Sequence, residues 1–347
     1  MTPQNKGTDL PRPDPSITQP ASVSRAAVSY LDLPAARALS ADSPHILGAV
    51  GFGMPRPDFL PPGCPFIAAP LSPAGGGAMV ELWQSSTPCR SINFGSITGA
   101  CSDHLAFGAI TLAETPTIHL EVTAEAAYLA IFDFLDAAGF SAPIRFWNYL
   151  TEITQEEEGL ERYHRFNIGR HRAFSARLRE ELPPAASGVG GTYGSSVIYF
   201  LAAHAPARPV ENPRQVSAFA YPPLYGPRSP SFSRASVAHL GSDAMIFVSG
   251  TASIVGHESR HASDLQSQAA ETIENLRAVI GATGITDFDH WAFKIYLRNP
   301  AHRGAVELAL IRAFSPACQR LYLHGEICRR ELLVEIEAFC TATPPMS

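Results

Sequence analysis

The sequence is poor in charge and has no basic excess: charged residues make up 17% of its 347 residues, and the formal net charge is −6. This composition gives no reason to expect nucleic acid or an anionic membrane as a partner. There is no run of 18 apolar residues, so we expect no transmembrane helix. The first twenty residues lack the charged-then-apolar pattern of a secretion signal and are polar and proline-rich. We therefore expect a cytoplasmic protein in which residues 1–25 form a disordered lead-in.

The six cysteines are scattered, and no two of them form a C-x-x-C pair. This spacing argues against a disulfide framework or a thiolate metal site, and we expect free thiols, several of them in the core. Hydrophobic residues, in contrast, make up 46% of the chain. At this length the composition predicts a globular protein of two domains, or one large domain, with ample core.

One short motif suggests a metal. His257, Glu258 and His261 match H-E-x-x-H, the zinc signature of metallopeptidases. The signature works only on a helix, where residues four apart share a face. Ser263 and Asp264 are typical helix N-caps, and apolar residues recur at helical spacing only after them. We therefore place the motif in a loop before the helix and expect no metal site, with a zinc peptidase as the alternative that metal analysis would test.

The chain contains an internal repeat. Residues 123–150 read as an amphipathic helix, a glycine stop at Gly139 and an aromatic-rich strand, and residues 267–297 read the same way around Gly284. The repeat predicts two α+β units, each with helices on one face of a sheet.

A second helix follows in each half, and each half ends in an apolar strand. Both second helices contain the tetrapeptide RAFS, and the segment between the halves is rich in Pro and Ser. We predict a first domain, a connection and a second domain at residues 26–211, 212–235 and 236–347.

Several phrases together carry a family resemblance. The second half, from FVSGTAS through ENLRAVIGATG to ELLVEIEA, resembles the RidA/YjgF fold. The duplicated chain, with RFWNYL, GLERYHRFNIGRHRAF, YPPLYGPRSPSFSRA and SGTASIVGHESRH, resembles the chorismatases over about residues 60–342. The resemblance implies two fused RidA/YjgF-like (chorismate-mutase-like) units, the first degenerate, with chorismate as substrate and no cofactor. It also implies a Glu–Arg pair on neighbouring strands, which falls on Glu335 and Arg320.

The residues fit this chemistry independently. Cleavage of the enolpyruvyl ether of chorismate needs a proton at the terminal methylene carbon, and a carboxyl held protonated in an apolar cleft can supply it. In L-L-V-E-I-E, alternation places Glu335 and Glu337 on one strand face and apolar residues on the other. The alternative is that both glutamates are solvated on an exposed face. The resemblance to the family's Glu–Arg pair favours Glu335 as the general acid.

A dianionic substrate favours arginine, which grips carboxylates bidentately. Arg320 is the first candidate, and Arg170 and Arg228 are further ones. Tyr225 either donates a hydrogen bond to the substrate or merely packs.

Product outcome divides the family that the chain resembles. Its aromatising branch is distinguished by a Cys and a Gly, which fall on Cys328 and Gly241, so the resemblance implies formation of 3-hydroxybenzoate and pyruvate. Hydrolysis to a dihydroxycyclohexadiene carboxylate, a mixture of 3- and 4-hydroxybenzoate, and a non-catalytic carboxylate sensor are the alternatives. Cys328 is predicted to shape the pocket. We expect a monomer rather than a trimer, because a fused pair can complete its own cleft.

Overall fold

The structure is a computed structural model that describes residues 26–40, 43–115, 117–178, 183–241, 243–285 and 291–342. The predicted lead-in at residues 1–25 lies outside the described residues. Within them, no helix is long and apolar enough to cross a membrane.

The chain forms five α-helices and twenty-two strands in its described part. The helices are α1 Leu33–Ser40, α2 Leu120–Ala138, α3 Arg162–Arg177, α4 Leu265–Ala282 and α5 Arg303–Ala313. The strands before α3 are β1 Ala26–Asp32, β2 Ile46–Phe52, β3 Phe66–Ala69, β4 Ser72–Pro73, β5 Met79–Ser85, β6 Arg90–Phe94, β7 Ile97–Cys101, β8 Leu105–Thr111, β9 Ala142–Thr151, β10 Glu156–Glu157 and β11 Leu160–Glu161. The later strands are β12 Ala185–Gly191, β13 Val197–Ala203, β14 Arg208–Val210, β15 Ala235–Leu240, β16 Asp243–Ala252, β17 Ile254–Val255, β18 Glu258–Ser259, β19 Ala292–Leu297, β20 Gln319–His324, β21 Glu326–Ile327 and β22 Val334–Ala342.

The two halves of the chain repeat one topology. The first seven-stranded sheet has the order β21-β12-β9-β13-β8-β7-β6, and the second has the order β14-β15-β16-β22-β19-β20-β4. Strands β7, β8, β13, β9 and β12 therefore correspond to β15, β16, β22, β19 and β20. In both sheets the two strands that the second helix of the half connects (β9–β12 and β19–β20) are parallel, whereas the other pairs are antiparallel. The predicted internal repeat is confirmed.

The sheets and helices form layers. Helices α2 and α3 cover the outer face of the first sheet, and α4 and α5 cover that of the second. The inner faces pack on each other around one core, which also receives Val28, Phe52 and Trp83 from a third, four-stranded sheet of order β1-β5-β2-β3. Each unit is thus a mixed sheet with helices on one face, so the predicted α+β class is confirmed.

Short strands cross between the units. β4 of the first half pairs with β20, and β21 of the second half pairs with β12. β14, inside the predicted first domain, extends the second sheet. The predicted boundaries therefore do not separate the two sheets cleanly, and the division at residues 211 and 236 stays a prediction.

Candidate active site

A cavity of about 300 Å³ opens where the two sheets meet near the connection between the halves. Its walls come from α3, β12, β16, the start of β22 and the segment before β15. The lining side chains that matter for the chemistry are Tyr163, Arg170, Ser187, Tyr225, Arg234, Cys328, Arg329 and Glu335. This volume is at the lower end of the range that small-molecule sites occupy.

Glu335 reaches this cavity because of strand alternation. Val334 and Ile336 on β22 point into the core beneath α4 and α5, so Glu335 and Glu337 point toward the first sheet. Glu335 is only 5% exposed, and its carboxyl has no hydrogen-bond partner among the described residues. Burial and the negative charge of Glu337, against the opposing effects of Arg145 and Arg234, together raise its pKa to about 8. A carboxyl in this state is mostly protonated at neutral pH.

Gly250 makes room for this carboxyl. The ladder between β16 and β22 shifts register between Val248 and Thr251, which places a bulge opposite Glu337. A Cβ at Gly250 would lie 1.9 Å from Glu335 Oε1. The backbone N–H of Gly250 also donates to Ser187 Oγ at 3.0 Å, which ties the bulge to the first sheet.

Gly250→Ala is expected to push the carboxyl of Glu335 out of place. Because a misplacement of about 1 Å can cost roughly 10²-fold in rate, we expect kcat to fall on the order of 100-fold while the protein stays folded. Steady-state kinetics and thermal unfolding measure both. Gly281→Ala is the control, since a Cβ at Gly281 on α4 meets nothing within 4 Å. Equal activity of the two variants would contradict this role of Gly250.

Four arginines line the cavity. Arg330 lies 3.7 Å from a carboxylate oxygen of Glu161, whereas the other three form no ion pair within 4.0 Å with a carboxylate of the described residues. Arg234 is 5% exposed and donates to Val216 O and to Tyr221 Oη at 2.9 and 2.7 Å. Arg170 is buried and donates to Asn167 Oδ1 at 3.1 Å. The buried Nε groups of Arg170 and Arg234 lack a hydrogen-bond partner in the described part of the chain. Such charges and donors suit an anionic ligand.

Arg329 and Tyr225 form one wall with the H-E-x-x-H segment. The Arg329 guanidinium lies 4.0 Å from the centre of the Tyr225 ring and donates to His257 O and Ser259 Oγ at 2.9 and 3.0 Å. Tyr225 Oη lies 3.3 Å from His257 Nδ1. Tyr225 therefore lines the cavity, and its role toward a substrate stays a prediction.

The H-E-x-x-H segment lies in the β17–β18 hairpin and the turn after it. Helix α4 begins only at Leu265, and the N-cap Asp264 accepts hydrogen bonds from Gln266 N and Ser267 N, as predicted. His261 lies apart from His257, with its Nε2 3.3 Å from Glu271 Oε2. The helical geometry that the zinc signature needs is therefore missing. Across the described ranges, no group of three or more His, Cys, Asp and Glu side chains is arranged to hold a metal.

Cys328 lies in the cavity wall, seven residues before Glu335. Burial, together with the nearby carboxyl of Glu335, raises the pKa of its thiol to about 12. The thiol is therefore neutral at physiological pH, which fits a side chain that shapes the pocket rather than a thiolate nucleophile.

Three predicted site residues lie elsewhere. Arg320 on β20 stands beside Phe293, whose side chain is in the core on the helix side of the sheet, opposite to the face of Glu335. Its guanidinium donates to the backbone carbonyls of Ser315, Pro316 and Cys318. The predicted pairing of Arg320 with Glu335 is therefore wrong: Arg320 lies on a strand that β19 separates from β22, and its side chain is on the other face of the sheet.

Gly241 and Arg228 are also absent from the lining of this cavity. Gly241 has a φ of 64° and lies in the tight β15–β16 turn, where glycine relieves backbone strain. Arg228 borders a separate pocket of about 250 Å³ with His171 and Phe219. Neither residue is placed to contact a ligand at Glu335.

The sequence reasoning missed Arg234, Arg329 and Ser187. Arg329 directly follows Cys328, and Arg234 lies within the phrase YPPLYGPRSPSFSRA, directly before strand β15. Ser187 carries no comparable signal, because a serine in a small-residue strand is common.

Comparison with known proteins gives this geometry a context. Residues 81–202 match the family described as chorismatase FkbO/Hyg5-like, N-terminal. A 3-hydroxybenzoate synthase of Streptomyces hygroscopicus is 33% identical over 326 residues, which cover 89% of this chain and 95% of that protein. A chorismatase of Streptomyces rapamycinicus is 34% identical over 294 residues, covering 80% and 87% of the two chains. The crystal structure of a chorismatase superposes with a TM-score of 0.82 at 28% identity and covers 92% of this chain and 99% of the other. The chain belongs to the chorismatase family.

Proposed function

We propose that the protein cleaves the enolpyruvyl ether of chorismate and releases pyruvate and 3-hydroxybenzoate. One observation carries the proposal: a buried carboxyl with a raised pKa, Glu335, faces a cavity that also holds three arginines without carboxylate partners in the described chain. The names of the relatives, 3-hydroxybenzoate synthase and chorismatase, support the same substrate.

Glu335 is the general acid of the proposed reaction. Its proton is transferred to the terminal methylene carbon of the enolpyruvyl group, which becomes the methyl group of pyruvate, and an oxocarbenium-like centre forms at the adjacent carbon. The bond between the ether oxygen and the ring carbon then breaks, and its electron pair completes the carbonyl of pyruvate. The oxygen of the neighbouring ring hydroxyl bonds to the vacated ring carbon and gives its proton back to Glu335. Its bond to its original carbon then breaks as the vacated carbon loses its hydrogen as a proton, which that oxygen takes up as the 3-hydroxyl of the aromatic product. Pyruvic acid and 3-hydroxybenzoic acid together contain all the atoms of chorismic acid, so the reaction consumes neither water nor a redox partner.

The arginines of the cavity hold the two carboxylates of the substrate. Arg234 and Arg170 supply unpartnered Nε–H donors, and Arg329 presents its guanidinium against Tyr225 at the opposite wall. A guanidinium whose position is fixed by hydrogen bonds to the protein loses little entropy when it binds a carboxylate. We assign the substrate-binding role that Arg320 was predicted to have to these three residues, and Tyr225 supports Arg329.

Cys328 directs the outcome toward the aromatic product. Its neutral thiol fills space beside Glu335 and keeps water from the oxocarbenium centre. Cys328→Ala opens a space of roughly one water molecule. We expect the variant to release pyruvate together with an increased share of the non-aromatic diene acid, which chromatography of the products measures.

Cys64→Ala provides a matched control for this variant. Cys64 is a buried thiol in the small core beside the four-stranded sheet and has no part in the cavity wall. An unchanged product ratio in Cys328→Ala would contradict the assignment of Cys328.

Incubation with chorismate in the presence of a chelator tests the whole proposal. We expect pyruvate and an equal amount of 3-hydroxybenzoate. Pyruvate with the diene acid would overturn the product assignment and leave Glu335 as acid. Binding of chorismate without any pyruvate would overturn the enzymatic function and favour a carboxylate sensor.

A further inference from the structure

The second carboxylate on the same strand face, Glu337, is not exposed to the cavity but lies at the centre of a buried charge cluster. We define this cluster as Glu81, Arg145, Lys294 and Glu337. Lys294 Nζ lies 2.6 Å from Glu81 Oε2 and 3.0 Å from Glu337 Oε1, and Arg145 Nη2 lies 2.8 Å from Glu337 Oε2. Each of the four is at most 4% exposed. Two positive and two negative charges balance in a region that water does not reach.

Neutral donors complete the shell around Glu337. Trp147 Nε1, Ser187 Oγ and Tyr296 Oη donate to its carboxylate at 2.6, 2.6 and 2.9 Å. Lys294, Arg145 and these donors outweigh the cost of burial, so the pKa of Glu337 falls to about 2. Glu337 is therefore negatively charged throughout the physiological range.

The cluster lies next to the proposed acid. Residues two apart on a strand are about 7 Å apart on one face, so Glu335 sits beside the carboxylate of Glu337. Ser187 connects the two places, because it donates to Glu337, accepts from Gly250 N and lines the cavity. Since Lys294 and Arg145 already pair with the carboxylates of the cluster, a negative charge on Glu335 would be repelled by the neighbouring carboxylate of Glu337.

We propose that Glu337 is a positioning residue whose permanent negative charge keeps Glu335 in its protonated, proton-donating form. The proposal rests on the proposed function, in which Glu335 is the acid. Glu337 does not touch the substrate, and its effect is exerted through Glu335 alone.

The nearest titratable and charged groups around Glu335 come from every element packed on it: Glu337 on β22, Tyr296 on β19, Arg145 on β9, Tyr163 and Arg170 on α3, Arg234 before β15, and Cys328 and Arg329 before β22.

The cationic members of this set act in the opposite direction to Glu337. Arg145 and Arg234 favour the ionised form of Glu335, and Arg170 and Arg329 carry the same charge. In the proposed complex the two substrate carboxylates offset charge on the cavity arginines, so the repulsion by Glu337 adds to the effect of burial with less opposition.

The test is the pH dependence of kcat/KM for pyruvate release in three variants of the full chain. In the wild type we expect kcat/KM to decline above a pH near 8, where Glu335 loses its proton. Glu337→Gln should move this decline to lower pH by about one unit or more, and activity near pH 6 should be largely retained. Arg145→Gln removes a positive charge and should move the decline to higher pH. Glu81→Gln is the matched control. It also removes one negative charge that pairs with Lys294, but Glu81 is not among the charges that act on Glu335.

A second readout does not depend on turnover. The carboxyl C=O infrared band of Glu335, identified by its loss in Glu335→Gln, reports protonation directly. In Glu337→Gln the band should disappear at lower pH than in the wild type. If Glu337→Gln does not fold, Arg145→Gln carries the test with the opposite sign.

The outcomes separate this inference from the proposed function. Opposite shifts in Glu337→Gln and Arg145→Gln, with a smaller shift in Glu81→Gln, support it. The inference is overturned if folded Glu337→Gln shows the wild-type pH dependence of kcat/KM and of the infrared band, or if Glu81→Gln shifts the pH dependence as much as Glu337→Gln does. Where only Arg145→Gln can be tested, an unchanged pH dependence of kcat/KM in that variant overturns it. In each case Glu335 remains the acid. Full activity of Glu335→Gln would instead overturn the proposed function.

Discussion

Glu335→Gln should lose activity on the order of 10²–10⁴-fold in kcat, the typical contribution of a positioned general acid. The amide has nearly the shape of the protonated carboxyl, so it fits beside Gly250 and leaves the cavity walls in place. It has no acidic proton to give to the methylene carbon. Since the arginines are untouched, KM for chorismate should change little, and the loss should lie in kcat. Steady-state measurement of pyruvate release checks both quantities.

The same variant should show a characteristic stability profile. In the wild type, the pKa of Glu335 is about 8 in the folded chain, whereas a carboxyl in an unfolded chain has an ordinary pKa near 4.5. Between these values the folded protein holds a proton that the unfolded chain has lost, so stability falls as pH rises, by about 1.4 kcal/mol for each pH unit. The Gln variant lacks this group and should lose this part of the slope.

Thermal unfolding between pH 5 and 8 therefore provides the control. The stability of the variant should increase relative to that of the wild type as pH rises, while its activity stays low at every pH. A variant that is inactive because it is misfolded would lose stability at every pH. Retained kcat together with the expected stability profile would contradict the role of Glu335 as acid and leave its buried, protonated state intact.

The sequence was sufficient for the repeat, for the α+β class and for the strand face of Glu335. These follow from local patterns: alternation on β22, a glycine at the end of α2 and an acidic N-cap before α4. Each pattern is determined within about a dozen residues, so one sequence contains all the information it needs.

The partners of Glu335 could not be obtained in this way. Arg320 lies on a strand two positions away in the sheet, and its register beside Phe293 rather than Tyr296 turns its side chain to the helix face. A shift of one residue in register reverses the face, and register between distant strands depends on the whole sheet. Arg145 and Lys294 did carry a signal, since each stands inside an apolar, aromatic-rich strand where an isolated cation needs a buried acid.

Lys294→Met is expected to cause the largest loss of stability of any variant considered. Lys294 is 1% exposed and is one of two lysines in the chain. Its ammonium contacts the carboxylates of Glu81 and Glu337 and donates to Tyr199 Oη at 2.8 Å and Tyr149 Oη at 3.3 Å. Methionine fills most of the volume but leaves the carboxylates of Glu81 and Glu337 without their shared cation. Breaking a buried ion pair in this way costs about 3–5 kcal/mol, a large part of the stability of a typical domain. Denaturant unfolding at pH 7 measures the change.

Two comparisons distinguish an electrostatic cause from a packing defect. Lys294→Met combined with Glu81→Gln should be more stable than the sum of the single effects, because the second change removes one of the stranded charges. The loss should also shrink at acid pH. The pKa of Glu337 is about 2 in the wild type, so its stabilising effect is fully present above the ordinary glutamate pKa and is lost as pH falls toward 2. A packing defect would instead give the same loss at pH 7 and pH 4 and no recovery in the double variant, and that result would show that the cluster holds the sheets together by shape rather than by charge.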